Sequence, residues 1–148
     1  MTRKTFLQTL CAVPATLAMP LRAAIPVSVY KTPTCGCCGQ WVAHMKANGF
    51  DLQVQDVPDT APYRAKYGVP NAMASCHTAV IGGYAIEGHV PADEIKRLLK
   101  EKPKAGGLAV PGMVAGSPGM ETGQVQPYSV ILFTADGKSS IYANYPRK

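Results

Sequence analysis

The sequence predicts an α/β domain in which strands and helices alternate. Three observations carry this prediction: strand-like alternation at residues 27–30, apolar residues at helical spacing (Trp41, Val42 and Met45), and a second clean alternation at residues 50–57. Short connections between a strand, a helix and a strand imply a right-handed, parallel βαβ unit.

Turn and cap residues predict the elements that follow. Gly49 ends the first helix, because glycine readily adopts the left-handed conformation found there. A short helix is expected at residues 58–67, and a two-stranded hairpin at residues 78–86 turns at Gly82-Gly83. The last helix starts at Pro91 and buries Ile95, Leu98 and Leu99. The order β-α-β-α-β-β-α is typical of a thioredoxin-like domain, which we assign to residues 25–148.

Residues 104–127 are rich in glycine, proline and methionine and contain two Pro-Gly-Met units. The run around these units fits neither a helix nor a regular strand, and it is longer than most connections. Because it also carries apolar residues, an ordered functional flap is favoured over a disordered linker. Residues 128–133 and 140–145 are predicted to form a closing β-hairpin that extends or covers an edge of the sheet.

Residues 1–24 are predicted to be a cleaved signal peptide. Arg3 and Lys4 form a basic start, residues 6–21 are mostly apolar, and Ala23-Ala24 offers a cleavage site. Two prolines in this short apolar run argue against a membrane anchor, so no membrane association is expected after cleavage. A weak twin-arginine-like pattern leaves the export route, Sec or twin-arginine, open.

The mature chain is only mildly basic. Removing three basic residues with the signal peptide leaves 12 basic against 9 acidic residues, so the net charge falls from +6 to +3. The basic residues are scattered, which argues against nucleic-acid binding. Two structural disulfides would be ordinary in an exported chain, but the adjacency of Cys37 and Cys38 argues against that pairing.

Residues 35–38, Cys-Gly-Cys-Cys, form a CxCC motif at the predicted junction of the first strand and first helix. A helix N-terminus stabilises thiolate, which is the form that binds metal or attacks disulfides. No acidic residue occurs between Ala23 and Phe50, and clustered thiolates suit Cu(I) or Zn(II). A disulfide exchanger would use Cys35 to attack and Cys38 to resolve, but a third thiol would hinder it. A metal site is therefore the favoured interpretation, and disulfide exchange remains the alternative.

A fourth thiol is predicted to join the motif. In a thioredoxin-like fold the residue that opens the third strand faces the thiol motif, and Ser75-Cys76-His77 occupies that place here. The metal-site hypothesis depends on this convergence of Cys76 with the first three cysteines.

Histidines and methionines are further candidate ligands. His89 lies where the last helix begins, within expected reach of the motif. In a strand, neighbouring side chains point to opposite faces, so His77 is expected to support the site rather than share an ion with Cys76. Met113 and Met120 offer soft thioethers that select Cu(I), with ordinary flap packing as the alternative.

Taken together, these stretches resemble the CopG family of copper-resistance proteins. The matching segments are Pro-Thr-Cys-Gly-Cys-Cys-Gly at 33–39, Val-Pro at 69–70, Ser-Cys-His-Thr-Ala at 75–79, Glu-Gly-His-Val-Pro at 87–91, and the segments 107–113 and 116–121. The resemblance implies a periplasmic thioredoxin-like protein that acts in copper tolerance alongside efflux systems. It further implies a multinuclear copper site bridged by Cys35, Cys37, Cys38 and Cys76 and completed by His89 and the flap methionines. Val114 departs from the family pattern, in which proline is expected.

The sequence thus predicts a periplasmic protein that holds Cu(I) in a cysteine-bridged site and, with His77 and His89 nearby, could cycle copper between Cu(I) and Cu(II). Binding is favoured over enzymatic turnover. Two alternatives remain: a thiol-disulfide oxidoreductase that uses Cys35 and Cys38, and a copper chaperone that hands metal to a periplasmic partner.

Overall fold

The computed structural model describes residues 23–147. The predicted signal peptide covers residues 1–24, of which 1–22 lie outside the described residues. The described chain forms three α-helices and seven β-strands, which run β1 Ile25–Lys31, α1 Gly36–Ala47, β2 Phe50–Asp56, α2 Ala61–Lys66, β3 His77–Ile81, β4 Tyr84–Glu87, α3 Ala92–Glu101, β5 Gly107–Ala109, β6 Tyr128–Phe133 and β7 Ser139–Tyr145. The predicted order β-α-β-α-β-β-α is therefore present up to the end of α3. No helix among these residues is long and apolar enough to cross a membrane.

All seven strands join one mixed sheet in the order β2-β1-β3-β4-β5-β6-β7. β1 and β2 are parallel around α1, as the predicted βαβ unit requires, whereas β3 is antiparallel to β1 and to β4. The closing hairpin β6–β7 extends the sheet, and β5 connects it to the other strands by pairing parallel to β4. The predicted closing hairpin is confirmed. It extends the sheet and does not cover its edge.

The strand β5 corrects the predicted extent of the flap. The sequence placed residues 104–127 in one irregular segment, but residues 107–109 of it are a strand, which separates residues 104–106 from the longer irregular segment at residues 110–127. Three residues are too few to show an alternating pattern. Gly107 also permits a backbone approach that any side chain would block, because a Cβ there would lie 1.7 Å from the Ala85 carbonyl oxygen.

The main core lies between one face of the sheet and the helices α1 and α3. Trp41 and Met45 of α1 and Ile95 and Leu98 of α3 are fully buried, as their helical spacing predicts, whereas Leu99 is only half-buried. A smaller core covers the opposite face and contains Val69, Ala85, Ala109 and Phe133. Neighbouring residues of a strand point to opposite faces, so Ile86 and Leu108 enter the main core while Ala85 and Ala109 enter the smaller one.

The first helix starts directly at the CxCC motif. Cys35 has an extended backbone and precedes the helix, and Cys37 and Cys38 lie in its first turn. The helix ends at Ala47 and is capped by Asn48, and Gly49 follows with a φ of +88°, as predicted for a left-handed glycine. The short connection from β1 to α1 therefore fixes three cysteines at one end of the sheet.

Candidate metal centre

Three cysteines lie at the N-terminus of α1, and two of them are joined. Cys35 and Cys38 form a disulfide, whereas Cys37 and Cys76 are free thiols. Cys38 is fully buried, and the Cys37 sulfur lies 3.5 Å from that of Cys35. The sequence predicted a cluster of four cysteine sulfurs, and two of them are paired here, so the structure shows the oxidised form of the motif. A Cys-x-x-Cys spacing at a helix start brings the two sulfurs within bonding distance, as in the alternative that the sequence left open.

The fourth cysteine lies next to the motif. The sulfur atoms of the four cysteines, Cys35, Cys37, Cys38 and Cys76, all lie within 4.8 Å of one another. The Cys38 sulfur also lies 3.7 Å from the Cys76 carbonyl oxygen. The predicted convergence of Cys76 on the motif is confirmed.

Two histidines flank the Cys76 sulfur. Nε2 of His89 lies 3.0 Å from it and Nδ1 of His77 lies 3.4 Å from it, so these three residues form a second group of possible ligands that shares Cys76 with the first. The expectation that Cys76 and His77 face opposite sides is wrong. Strand β3 begins at His77, so Cys76 lies on a bend before the strand and the alternation of side chains does not apply to it.

The surroundings of His77 leave one of its nitrogens unpaired. The ring is fully buried and packs on Trp41, with ring centroids 4.4 Å apart. Its Nε2 has no hydrogen-bond partner among the described residues. An unpaired buried nitrogen costs free energy, so the burial of His77 is not explained by hydrogen bonding at Nε2.

The ring of His89 is oriented by the loop at residues 110–127. Its Nδ1–H donates to the Pro118 carbonyl oxygen at 2.6 Å, which leaves the lone pair of Nε2 facing the Cys76 thiol. A metal-binding histidine is commonly oriented in this way by a carbonyl on its second nitrogen. His89 therefore has both the position and the tautomer that a ligand needs.

Burial sets the protonation of these groups. It lowers the pKa of His77 to about 3 and also lowers that of His89, so both rings are neutral near pH 7 and able to bind metal. Burial, followed by repulsion from Cys37, raises the pKa of Cys76 to about 12. A metal ion that binds Cys76 must therefore displace its proton.

The two predicted methionine ligands differ in position. The Met113 sulfur lies 4.0 Å from that of Cys37, and its side chain is 59 % exposed, so it stands at the outer side of the cluster. Met120 is held through its backbone, which bonds to Gly116 and Ser117 within the loop. No hydrogen bond joins its sulfur to the cysteines within residues 23–147. The structure thus brings the Met113 sulfur to the thiols, whereas Met120 as a ligand stays a prediction.

Gly119 allows the loop to approach the site closely. A Cβ at this position would lie 2.7 Å from the backbone nitrogen of Trp41, 2.9 Å from the Cys37 carbonyl oxygen and 3.1 Å from Nδ1 of His89. Its φ of +87° also disfavours any side chain. The loop and the start of α1 are in backbone contact here.

Replacing Gly119 by alanine is expected to lift this part of the loop and break the bond between Pro118 and His89. We expect fast amide hydrogen exchange at residues 117–121 and a free energy of unfolding lower by about 1–3 kcal/mol. Hydrogen exchange followed by mass spectrometry would measure this, with Gly123→Ala as the control because that position has similar φ and no neighbour within 4 Å. Equal exchange in the two variants would contradict the close contact.

Two charged residues near the site were not predicted from the sequence. Glu87 is fully buried and contacts Ser75, beside Cys76. The other is Arg64, whose guanidinium reaches the carbonyl of Ser75. A charged residue that closes the apolar strand β4 is the sequence feature that could have pointed to Glu87.

Comparisons with known proteins give the family. A family model described as a protein of unknown function, DUF411, matches residues 73–120. A solved structure of copper resistance protein CopG, form 2, is 43 % identical, covers 83 % of this chain and 99 % of that chain, and superimposes with a TM-score of 0.79. The chain belongs to the CopG family of copper-resistance proteins. Form 1 of CopG gives 42 % identity, coverage of 84 % and 99 %, and the same TM-score, 0.79. The search of curated proteins finds no match.

Membership of the CopG family confirms the resemblance seen in the sequence. The matched segment 73–120 contains Cys76, both flanking histidines and Met113, and the structural match extends over most of the described chain. The mixed α/β architecture is shared with the CopG structures. The group of four cysteines is one that could hold a metal ion.

Proposed function

We propose that this protein is a periplasmic copper-binding protein that contributes to copper resistance by holding Cu(I) in a cysteine-bridged, multinuclear site. One observation carries the proposal: four cysteine sulfurs lie within 4.8 Å of one another, and neither group of possible ligands in residues 23–147 contains a carboxylate. Thiolates, thioethers and imidazoles select soft or borderline ions, and thiolates also bridge ions. The family's connection with copper resistance selects copper over zinc.

The roles of the ligands follow from their positions. Cys35, Cys37, Cys38 and Cys76 would supply the bridging sulfurs, and His89 would complete the shell from the side fixed by Pro118. His77 lies against the same sulfur as His89 and is proposed as a ligand or a support of Cys76. Met113 would bind at the exposed side, and Met120 is proposed as a further thioether ligand from the loop.

Full occupancy requires reduction of the disulfide. Two external thiols would reduce the Cys35–Cys38 bond, giving two protein thiols and one external disulfide. The oxidised protein retains Cys37, Cys76, the two histidines and Met113 as donors. Copper cycling is a further part of the proposal: oxidation of bound Cu(I) gives one electron per ion to an external acceptor, and the imidazoles suit the Cu(II) product.

Export and fold belong to the same proposal. A cleaved signal peptide at residues 1–24 would deliver the chain to the periplasm, where efflux systems and other copper proteins are the proposed partners. We also infer a thioredoxin-like domain at residues 25–148, with residues 110–127 as the part of the predicted flap that covers the site. The element order and the place of the thiols after β1 support this inference.

An anaerobic titration with Cu(I) tests the binding proposal. We expect the fully reduced protein to bind more than one Cu(I) ion, and the protein with an intact Cys35–Cys38 disulfide to bind fewer, because two sulfur donors are then unavailable. Metal analysis after gel filtration and competition with a chromophoric Cu(I) chelator give stoichiometry and affinity. Equal stoichiometry in the two redox forms would contradict a site built from all four sulfurs.

The disulfide itself favours a second candidate function, that of a thiol-disulfide oxidoreductase. A Cys35–Cys38 bond at a helix N-terminus is the arrangement that such enzymes use. This function predicts that the reduced, metal-free protein reduces disulfides in a substrate protein, with Cys35 as the fast-reacting thiol. Similar alkylation rates for Cys35 and Cys37 near neutral pH, together with no turnover, would exclude it.

A further inference from the structure

The segment that carries Cys76 lies outside the sheet. Residues 74–76 connect a short turn, Asn71–Met73, to β3, which starts at His77. The backbone groups of Ser75 therefore have no partner from a neighbouring strand. The position of Cys76 depends on whatever else holds this segment.

Side chains from two other elements hold the backbone of Ser75. Its N–H donates to Oε1 of Glu87 at 2.7 Å, and its carbonyl oxygen accepts from Nη1 of Arg64 at 3.4 Å. Both polar groups of one residue are thus bound by ionisable side chains, the guanidinium of Arg64 and the carboxyl group of Glu87. Hydrogen bonds to charged groups are stronger than those between neutral groups.

The two holding side chains are themselves fixed. Oε2 of Glu87 accepts from the Thr78 hydroxyl at 2.7 Å, and Nη1 of Arg64 donates to the Thr60 hydroxyl at 2.9 Å. The Glu87 carboxylate is fully buried and lies 3.7 Å from Nη1 of Arg64. Arg64 and Glu87 therefore connect α2, β3 and β4 to Ser75 in the connecting segment.

The loop at residues 110–127 contacts the same segment from the other side. The Ser75 hydroxyl donates to the Gly112 carbonyl oxygen, and the Gly112 N–H donates to the Ala74 carbonyl oxygen. Gly88, with a φ of +71°, lacks the Cβ that would collide with the side chain of Ser75. Ser75 is therefore held from both sides, which restricts the freedom of Cys76 to turn away from the motif.

Burying a carboxylate costs desolvation free energy, which an apolar side chain of similar size would avoid. Well-packed hydrophobic residues often replace buried ion pairs with no loss of stability. Glu87 lies in a strand whose neighbouring residues enter the two apolar cores, so an apolar side chain would suit the sheet better. What such a side chain could not do is accept the N–H of Ser75.

We propose that Glu87 is a positioning residue of the metal centre. With Arg64, its carboxylate holds the backbone of Ser75, and the adjoining Cys76 thiol thereby faces the sulfurs of the CxCC motif. This inference rests on the proposed function for its purpose, but its geometry can be tested without metal.

The test measures how fast Cys37 and Cys76 are bridged by dibromobimane, which becomes fluorescent when it alkylates two neighbouring thiols. The protein is used as processed after export, with the Cys35–Cys38 disulfide intact, so that only these two thiols react. For Glu87→Leu we expect the bridging rate, taken relative to the rate of single alkylation of Cys37 and Cys76, to fall by about tenfold or more, because loss of the buried acceptor allows Cys76 to leave its position. Glu87→Gln retains an acceptor for the Ser75 N–H and is expected to restore most of the rate.

A second buried carboxylate provides the matched control. Glu94 is also fully buried, but it accepts bonds from Tyr145 and Arg147 and makes no hydrogen bond to described residues 74–76. Glu94→Leu should lower stability while leaving the bridging rate within about twofold of that of the wild type. If Glu87→Leu does not fold, Arg64→Met gives the same test, since Arg64 is partly exposed.

The outcomes separate this inference from the proposed function. Wild-type bridging rates in folded Glu87→Leu or Arg64→Met, or an equal fall in Glu94→Leu, would overturn the positioning role. Failure of the wild-type thiols to bridge would overturn it as well. If dibromobimane bridges the wild-type thiols but the protein binds no Cu(I), the proposed function is contradicted and the positioning role still stands.

Discussion

Replacement of Cys76 by serine is expected to abolish tight binding of Cu(I). Its sulfur is the one donor shared by the four-cysteine group and by the group with His77 and His89. Loss of a residue that only supports a metal ligand costs about 10–100-fold in affinity, so loss of the shared ligand should cost more than about 100-fold. The number of bound ions should fall as well, because a bridging sulfur serves more than one ion.

The measurement can use the protein's own fluorophore. Trp41 is the single tryptophan, is fully buried and packs on His77, which contacts the Cys76 sulfur. Binding of copper should therefore change Trp41 emission in the reduced wild type and leave it nearly unchanged in Cys76→Ser. Competition with a chromophoric Cu(I) chelator gives the affinities independently of fluorescence.

A histidine outside the cluster provides the control for this prediction. Nε2 of His44 accepts the Ala92 N–H at 3.1 Å, so His44→Gln removes an imidazole from α1 without removing a proposed ligand. It should bind Cu(I) as the wild type does. Unchanged stoichiometry and affinity in Cys76→Ser would contradict the cysteine-bridged site, whatever the result for His44→Gln.

The convergence of the cysteines could be predicted because it follows from the order of elements. A strand that feeds a helix places residues 35–38 at one end of the sheet, and the start of a strand that pairs with β1 returns the chain to that end. The register places His77 opposite Lys31, the last residue of β1. Element order and strand direction alone therefore bring Cys76 to the motif.

The detailed geometry of the ligands could not be predicted in the same way. Whether Cys76 and His77 face one ion depends on whether the strand starts at residue 76 or 77, and sequence patterns rarely locate strand ends to one residue. The contact of His89 with Pro118 depends on the path of an irregular loop, for which no periodic pattern exists. The pairing of Cys35 with Cys38 depends on the redox state, and the spacing allowed both states.

The contribution of Glu87 and Arg64 to the site could not be predicted for a different reason. Glu87 and Arg64 are of residue types that are mostly exposed, so the sequence alone does not indicate that they belong to the site. Their role depends on partners that are 11 and 12 residues away in the chain. Only the arrangement of β4 beside the Ser75 segment reveals that the backbone there lacks strand partners.

Replacement of Gly107 by alanine is expected to cause a large loss of stability. A Cβ there would lie 1.7 Å from the carbonyl oxygen of Ala85, and both the carbonyl carbon and the nitrogen of Ala85 would be within 3 Å. These are backbone atoms of the paired strand β4, so the clash is relieved only by separating β4 from β5. We expect a free energy of unfolding lower by about 3–5 kcal/mol, at the upper end for single substitutions, and a melting temperature lower by about 10–20 °C.

The same substitution should also disturb the geometry of the metal centre. The Val110 N–H donates to the Glu87 carbonyl oxygen just beyond β5, so a shift of β5 moves both the start of the 110–127 loop and the strand that carries Glu87. Chemical denaturation with near-ultraviolet circular dichroism measures the stability, and the Cu(I) titration measures the centre. Gly39→Ala is the control: Gly39 lies in α1 with no neighbour within 4 Å of a Cβ, and alanine there should stabilise the helix by about 0.5–1 kcal/mol. A Gly107→Ala protein as stable as the wild type would show that β5 does not pair with β4 in this register, and the path of the chain from Glu87 to Met113 would then have to be redrawn.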